Sequence, residues 1–137
     1  MIYTSYFGKI NNIYTVDTSA VFCAICGKCP EWYKGNWYKK VASKWQWWKY
    51  WHDTYAGKYE SEESKSYYMS AYKKTVLDVL DKRMVIDELN SIANGKNLYL
   101  LCFETPEKFC HRHLLANWLN DGLNEKIVEW DGYENTK

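Results

Sequence analysis

Apolar positions along this chain fall into two kinds of run, and together they predict an α/β fold. Ile2–Tyr6 alternates apolar and polar residues. Ala20–Ile25 and Leu98–Phe103 are short continuous apolar stretches closed by turn residues, so all three predict strands, as does Lys126–Trp130. Leu98–Phe103 should be central, because a Leu-rich run suits burial on both faces. Elsewhere the spacing changes to three and four. Tyr67–Leu80 predicts an amphipathic helix with Tyr68, Ala71, Tyr72, Val76, Val79 and Leu80 inward. Asp81 should cap a second helix through Ala93, with Val85, Ile86, Leu89 and Ile92 inward and Asn94-Gly95 stopping it. A third runs from Lys108 to Asn120 on a stripe of Leu114, Leu115, Trp118 and Leu119; Thr105 and Pro106 suit its N-cap and first position, and Gly122 its end. Gly8–Asn12 reads as a turn and Ile13–Val16 as a continuation or flank of the sheet. The expected architecture is one α/β domain over residues 1–130: a mainly parallel sheet flanked by helices, a Trp/Tyr/Lys-rich helical insertion, and a flexible tail at 131–137.

Composition narrows the setting. At 137 residues and 47% hydrophobic the chain can bury an ordinary core. It holds no run of ~18 apolar residues of the kind that spans a membrane, and its polar, Tyr-rich start is unlike a signal peptide, so a cytoplasmic location is expected. Five Cys in a reducing compartment are expected as thiols, ligands or catalysts rather than structural disulfides. The net charge of +1 argues against duplex nucleic acid as a partner of the whole molecule. The local charge is different. Lys28 to Lys58 carries seven Lys against Glu31 and Asp53, and holds Trp32, Tyr33, Trp37, Tyr38, Trp45, Trp47, Trp48, Tyr50, Trp51 and Tyr55. Trp47, Trp48, Trp51 and Tyr55 fall on one helical face. Such rings cap a core, make a homodimer contact, or stack on a base while Lys side chains meet phosphates.

The chemistry-bearing residues cluster where the strand Leu98–Phe103 passes into the following helix. Open α/β sheets bind ligands at such strand ends, and a helix start favours an anion. Cys110 and His111 continue the apolar stripe one turn back and should point inward; Arg112 lies at its edge, and His113 should be solvated. Positive residues in a first helical turn oppose the dipole, so Arg112 calls for a negative partner: Glu104, Glu107 or Asp17, or an external phosphate or carboxylate. Cys110 at a helix start near cations is a candidate thiolate nucleophile, with the alternative of a small buried hydrophobe.

Leu100-Leu-Cys-Phe-Glu104, followed by Phe109-Cys-His-Arg112 and a Leu-Leu-Ala helix, resembles the signature of the domain of unknown function 488 family. Ile2-Tyr-Thr-Ser-Tyr-Phe7 and Cys26-Gly-Lys-Cys-Pro-Glu-Trp-Tyr-Lys-Gly35 with Tyr38 resemble its shorter members. The resemblance implies one α/β domain and singles out Cys102, Glu104, Cys110, His111 and Arg112; it implies no reaction. Cys23, Cys29 and the density of Trp depart from the pattern.

Three functions are then expected to compete. The first is binding of a nucleotide-like or otherwise phosphorylated small molecule and action on it, with Cys110 or Cys102 as nucleophile, His111 or Glu104 as proton carrier, and Arg112 as anion clamp. Lys28, Tyr6, and rings such as Trp32, Trp37 and Tyr38 would complete the site. The second is the same binding without turnover, the design of a small phage protein that sequesters a nucleotide signal. The third is an interaction domain using the Trp-rich surface. A proton carrier within ~3.2 Å of a thiol separates the first from the second. Neither cofactor nor metal is expected. Cys23-x-x-Cys26-x-x-Cys29-Pro30 resembles part of an iron–sulfur run, or a zinc set with Cys110 and His111, but strand alternation turns Cys23 and Cys26 to opposite faces and no second close ligand pair is apparent.

Overall fold

The computed structural model describes residues 1–121 and 126–132. Five parallel strands, β1 (Ile2–Tyr6), β2 (Val21–Ala24), β3 (Asn36–Trp37), β4 (Leu98–Cys102) and β5 (Val128–Glu129), form one sheet in the order β3-β2-β4-β1-β5. β4 is the central strand, and all five of its residues are buried. Its register sets Leu98 beside Ile2 and Val21, and Leu101 beside Ser5 and Ala24.

Helices cover the sheet: α1 (Ile10–Val16), α2 (Trp45–Thr54), α3 (Glu62–Thr75), α4 (Lys82–Ala93) and α5 (His111–Asn120). Strand alternation divides the interior in two. Cys23, Ile25, Leu98 and Leu100 face a core shared with Trp51, Tyr72, Val76, Val85, Leu89, Leu115 and Leu119. Ala24, Cys26, Tyr99 and Leu101 face Phe7, Ile13 and Trp130. Cys23 and Cys26 therefore do lie on opposite faces. Burying each Leu or Ile in these clusters contributes about 1.5–3 kcal/mol before chain entropy is counted.

Local chemistry accounts for most boundaries. The Asp81 carboxylate accepts from the Arg83 and Met84 N–H groups at the start of α4, and Asn94 (φ 50°) and Gly95 (φ 81°) end it in left-handed backbone. α3 starts at Glu62, ahead of the amphipathic stretch from Tyr67, because Ser61 caps it and Glu62 and Glu63 suit its positive end. It stops at Thr75, and Leu77–Val79 form a 3-10 turn instead of a last helical turn.

Two expectations are corrected. Gly8–Asn12 is helical rather than a plain turn, and of the two readings of Ile13–Val16 the structure takes the flank, as a helix packed on the sheet, not a continuation of it. A 3-10 turn at Phe7–Lys9 leads into α1, since Ile10 and Ile13 share a helical face and Ile13 is fully buried. β3 is two residues long, too short to leave a pattern. Thr105 and Pro106 do not start α5: the chain makes one isolated turn there, closed by Lys108 N–H to the Thr105 carbonyl at 3.0 Å, and Cys110 is extended (φ −151°, ψ 145°), so the helix begins at His111. Gly122 and residues 133–137 of the expected tail lie outside the described residues. No helix among the described residues is long and apolar enough to cross a membrane.

Candidate functional site

The carboxyl ends of β2 and β4, neighbours in a parallel sheet, open onto the same space. Cys26-Gly27-Lys28 leaves β2 and Phe103-Glu104 leaves β4; both line a cleft of about 1060 Å³. Its opposite wall comes from α2 and the link after it: Trp45, Trp48, Trp51, His52, Lys58, Tyr59 and Glu60. Phe109, Cys110 and His111 close the end beneath α5, with Lys108 beside them.

The rings of this wall are ordered by contact with each other. Trp48 stacks on Trp45 at 5.6 Å and on His52 at 4.7 Å, and Tyr59 lies 4.8 Å from Trp51 and 5.6 Å from His52. Trp51 is anchored through Nε1, which donates to the Ser64 hydroxyl at 2.9 Å. The Glu60 carboxylate accepts the Phe109 N–H at 3.2 and 3.1 Å and so ties the link to the turn before α5.

At the floor, Cys110 Sγ donates to Cys102 Sγ at 2.8 Å, and His111 Nδ1 lies 3.8 and 4.0 Å from the two sulfurs. All three residues are buried. His111 Nε2 is 2.7 Å from the Ile25 carbonyl oxygen. A carbonyl only accepts, so Nε2 carries a proton, and in the neutral ring Nδ1 turns a lone pair toward the sulfurs. Burial, and then the neighbouring Cys102, push the Cys110 thiol well above its ordinary range. Cys26 is pushed up to about 12, first by burial and then by Cys29. This runs against the thiolate expected from a helix start, because burial is the largest influence on the Cys110 thiol and raises its pKa.

Arg112 is corrected as well. Its side chain is fully buried, with Nε and Nη2 each 3.0 Å from the two Glu129 carboxylate oxygens and Nη1 donating to the Glu104 carbonyl at 2.6 Å. The negative partner that the dipole requires is Glu129 on β5, which is none of the three acidic residues expected for it. Glu129 also accepts from Thr4 Oγ1 at 2.7 Å. Arg112 is thus a fork that ties α5 to β5 and to the end of β4, and it is absent from the cleft lining. His113 is half-buried rather than solvated, 3.9 Å from Glu129, and burial followed by the Arg112 charge lowers its pKa.

Residues 20–123 match the family model described as the active DUF488-N3 subclade. The chain belongs to the DUF488 family. No curated protein and no solved structure matches it. Every residue lining the cleft lies inside the matched span, while β1 and β5 lie outside it.

Of the residues expected in the site of this DUF488 protein, Cys102, Glu104, Cys110, His111 and Lys28 line the cleft. Tyr6, Trp32, Trp37 and Tyr38 do not. The Tyr6 ring sits under the Arg112 guanidinium at 5.9 Å, and Trp32 packs edge-on against Phe7. Trp37 Nε1 donates to the Cys26 carbonyl at 2.7 Å, and the Tyr38 hydroxyl donates to Glu88 at 2.7 Å. The rings in their place are Trp48, Tyr59 and Phe109, with Lys58 and Lys108 as added cations. The expectation against a metal loses one support. Alternation at Cys23 and Cys26 holds, but Cys102 and Cys110 do form a close ligand pair, with His111 as a third member.

Proposed function

We propose that this DUF488 protein binds a nucleotide-like or otherwise phosphorylated small molecule in the cleft, stacking its flat part on the α2 rings and meeting its phosphate with lysines. The observation that carries the reading is one cavity of about 1060 Å³ lined by Trp48, His52, Tyr59 and Phe109 and by Lys28, Lys58 and Lys108. Its size suits a ligand larger than a single phosphate; typical ligand pockets span roughly 300–1,000 Å³. Lysine takes the anion role first given to Arg112, because an ammonium on a flexible stem adapts to a phosphate at an open rim.

Binding without thiol attack is favoured over turnover by a thiol nucleophile. His111 Nδ1, at 3.8 and 4.0 Å, stands outside the ~3.2 Å reach of efficient proton transfer, and Cys110 is held neutral by burial.

Isothermal titration of reduced, metal-free protein with nucleoside mono-, di- and triphosphates and with inorganic phosphate tests the proposal. A nucleotide should bind more tightly than inorganic phosphate. Trp48→Ala should weaken it by ~1–3 kcal/mol, the range for one base stacked on one ring. Lys58→Ala or Lys28→Ala should weaken it by ~1.5–3 kcal/mol. Affinity untouched by all three substitutions, or no heat with any phosphate compound, refutes the assignment.

A further inference from the structure

We propose that Cys102, Cys110 and His111 form a site for one divalent cation of the zinc class, with three protein ligands and a fourth position open to the cleft. The two sulfurs and Nδ1 lie within 4.8 Å of one another, and all three side chains are buried at the floor of the cavity they line. Two sulfurs and an imidazole are a borderline-soft set, which suits zinc and not calcium or magnesium. Three protein ligands with one open position is the arrangement of catalytic rather than structural zinc sites.

The imidazole is prepared for this role. Its Nε2 proton is committed to the Ile25 carbonyl at 2.7 Å, which fixes the ring plane and leaves Nδ1 as the ligating atom. Tyr72 stands edge-on to the ring at 5.5 Å and limits its rotation. A tetrahedral ion at about 2.3 Å from sulfur and 2.1 Å from nitrogen sets sulfur–nitrogen edges near 3.6 Å and the sulfur–sulfur edge near 3.8 Å. The sulfur–nitrogen edges are 3.8 and 4.0 Å, already close to this. The sulfur–sulfur edge is 2.8 Å and must open by about 1 Å on loading.

Charge balance favours the same outcome. A buried site tolerates two neutral thiols, or a divalent cation with two thiolates, since both are neutral overall; a lone thiolate is the disfavoured form. Loading is therefore an exchange in which the cation forms two metal–sulfur bonds and one metal–nitrogen bond, and two thiol protons leave to solvent. The neighbouring Arg112 charge is already matched by Glu129 and needs neither thiolate. Cys26 also lines the cleft, but its thiol donates to the Lys28 carbonyl at 3.1 Å and it stands outside the trio.

The test is titration of reduced, chelator-treated protein with Co²⁺ and then Zn²⁺, without nucleotide, so that failure here is separate from failure of the nucleotide proposal. The expected result is a sulfur-to-cobalt charge-transfer band with the intense visible bands of a tetrahedral ion, saturating at about one ion per chain. About two protons should appear per Zn²⁺ in weak buffer. Cys102→Ser and Cys110→Ser should each weaken cobalt binding at least tenfold, and Cys23→Ser and Cys29→Ser should leave it unchanged. His111→Asn is checked for folding by circular dichroism, and the two serine variants decide the matter if it does not fold. Folded, reduced protein that binds no cobalt overturns the proposal. So does an ion retained by the Cys102 and Cys110 variants, or a Cys102–Cys110 disulfide that forms under a hydroperoxide as fast with saturating Zn²⁺ as without it.

Discussion

Replacing Arg112 by Ala separates a structural role from a ligand-binding one. The guanidinium is fully buried and makes three hydrogen bonds, two to Glu129 and one to the Glu104 carbonyl. Truncation leaves Glu129, whose side chain is 23% exposed, facing a void without its cation. Breaking one side of a buried pair costs about 3–5 kcal/mol, and the residual solvent contact of Glu129 places the expected loss in the lower half of that range. For a chain of this size this corresponds to a fall in Tm of roughly 10–15 °C. Urea unfolding followed by circular dichroism measures it. The pair can be isolated by a cycle: Arg112→Ala with Glu129→Ala should cost clearly less than the sum of the single changes, because no unpaired charge remains. Phosphate or nucleotide affinity per folded molecule should be unchanged in Arg112→Ala. A loss of stability under about 0.5 kcal/mol together with weakened phosphate binding would refute the reasoning and restore Arg112 as an anion site.

Three further outcomes are expected. His113 has a folded-state pKa below its ordinary 6.5, so the folded protein prefers it neutral; stability should fall as pH drops below about 6.5, and His113→Asn should flatten that part of a urea-midpoint profile, whereas parallel profiles would contradict the assignment. Alkylation followed by mass spectrometry at neutral pH should label half-buried Cys29 first and Cys23 and Cys110 last; Cys110 labelling first would mean an activated thiolate after all. Leu100→Ala, in the middle of the central strand, should cost about 2–5 kcal/mol, and Val128→Ala on the exposed side of β5 under about 1 kcal/mol, by the same unfolding assay.

The elements were legible because their signals are local. Five apolar residues in a row made β4 a buried strand, Asp81 and Asn94-Gly95 bracketed α4, and the alternation that separates Cys23 from Cys26 is a property of any strand. The residues at the strand end were also legible: Cys102, Cys110 and His111 do meet, as residues at a strand end and a helix start can. The partner of Arg112 was not. Glu129 is 17 residues away on a strand that pairs with β1, so the contact depends on strand order rather than on spacing along α5. The choice of ring was hidden for a similar reason. Ten Trp and Tyr side chains lie between Trp32 and Tyr55, and those of α2 reach the cleft only because α2 packs on α3, where Trp47 and Trp51 meet Tyr68. Trp37 ends the edge strand and Tyr38 follows it, and they are turned to the Cys26 carbonyl and to Glu88.

The three consecutive residues Cys110-His111-Arg112 have separate destinations, and this explains their order. Cys110, extended just ahead of α5, reaches back to Cys102 at the end of β4. His111, the first helical residue, crosses to the Ile25 carbonyl beyond β2. Arg112, one position on and rotated by about 100°, passes to the other side and meets Glu129 on β5. One helix start therefore fixes strands on both sides of β4. The same junction holds a cation against the helix dipole only because Glu129 neutralises it, and it keeps two thiols dry at the end of an otherwise open cleft. A junction built this way has the rigidity that chemistry at Cys102, Cys110 and His111 would need, since each of the three is held by a contact outside the cleft or by its neighbour in the trio.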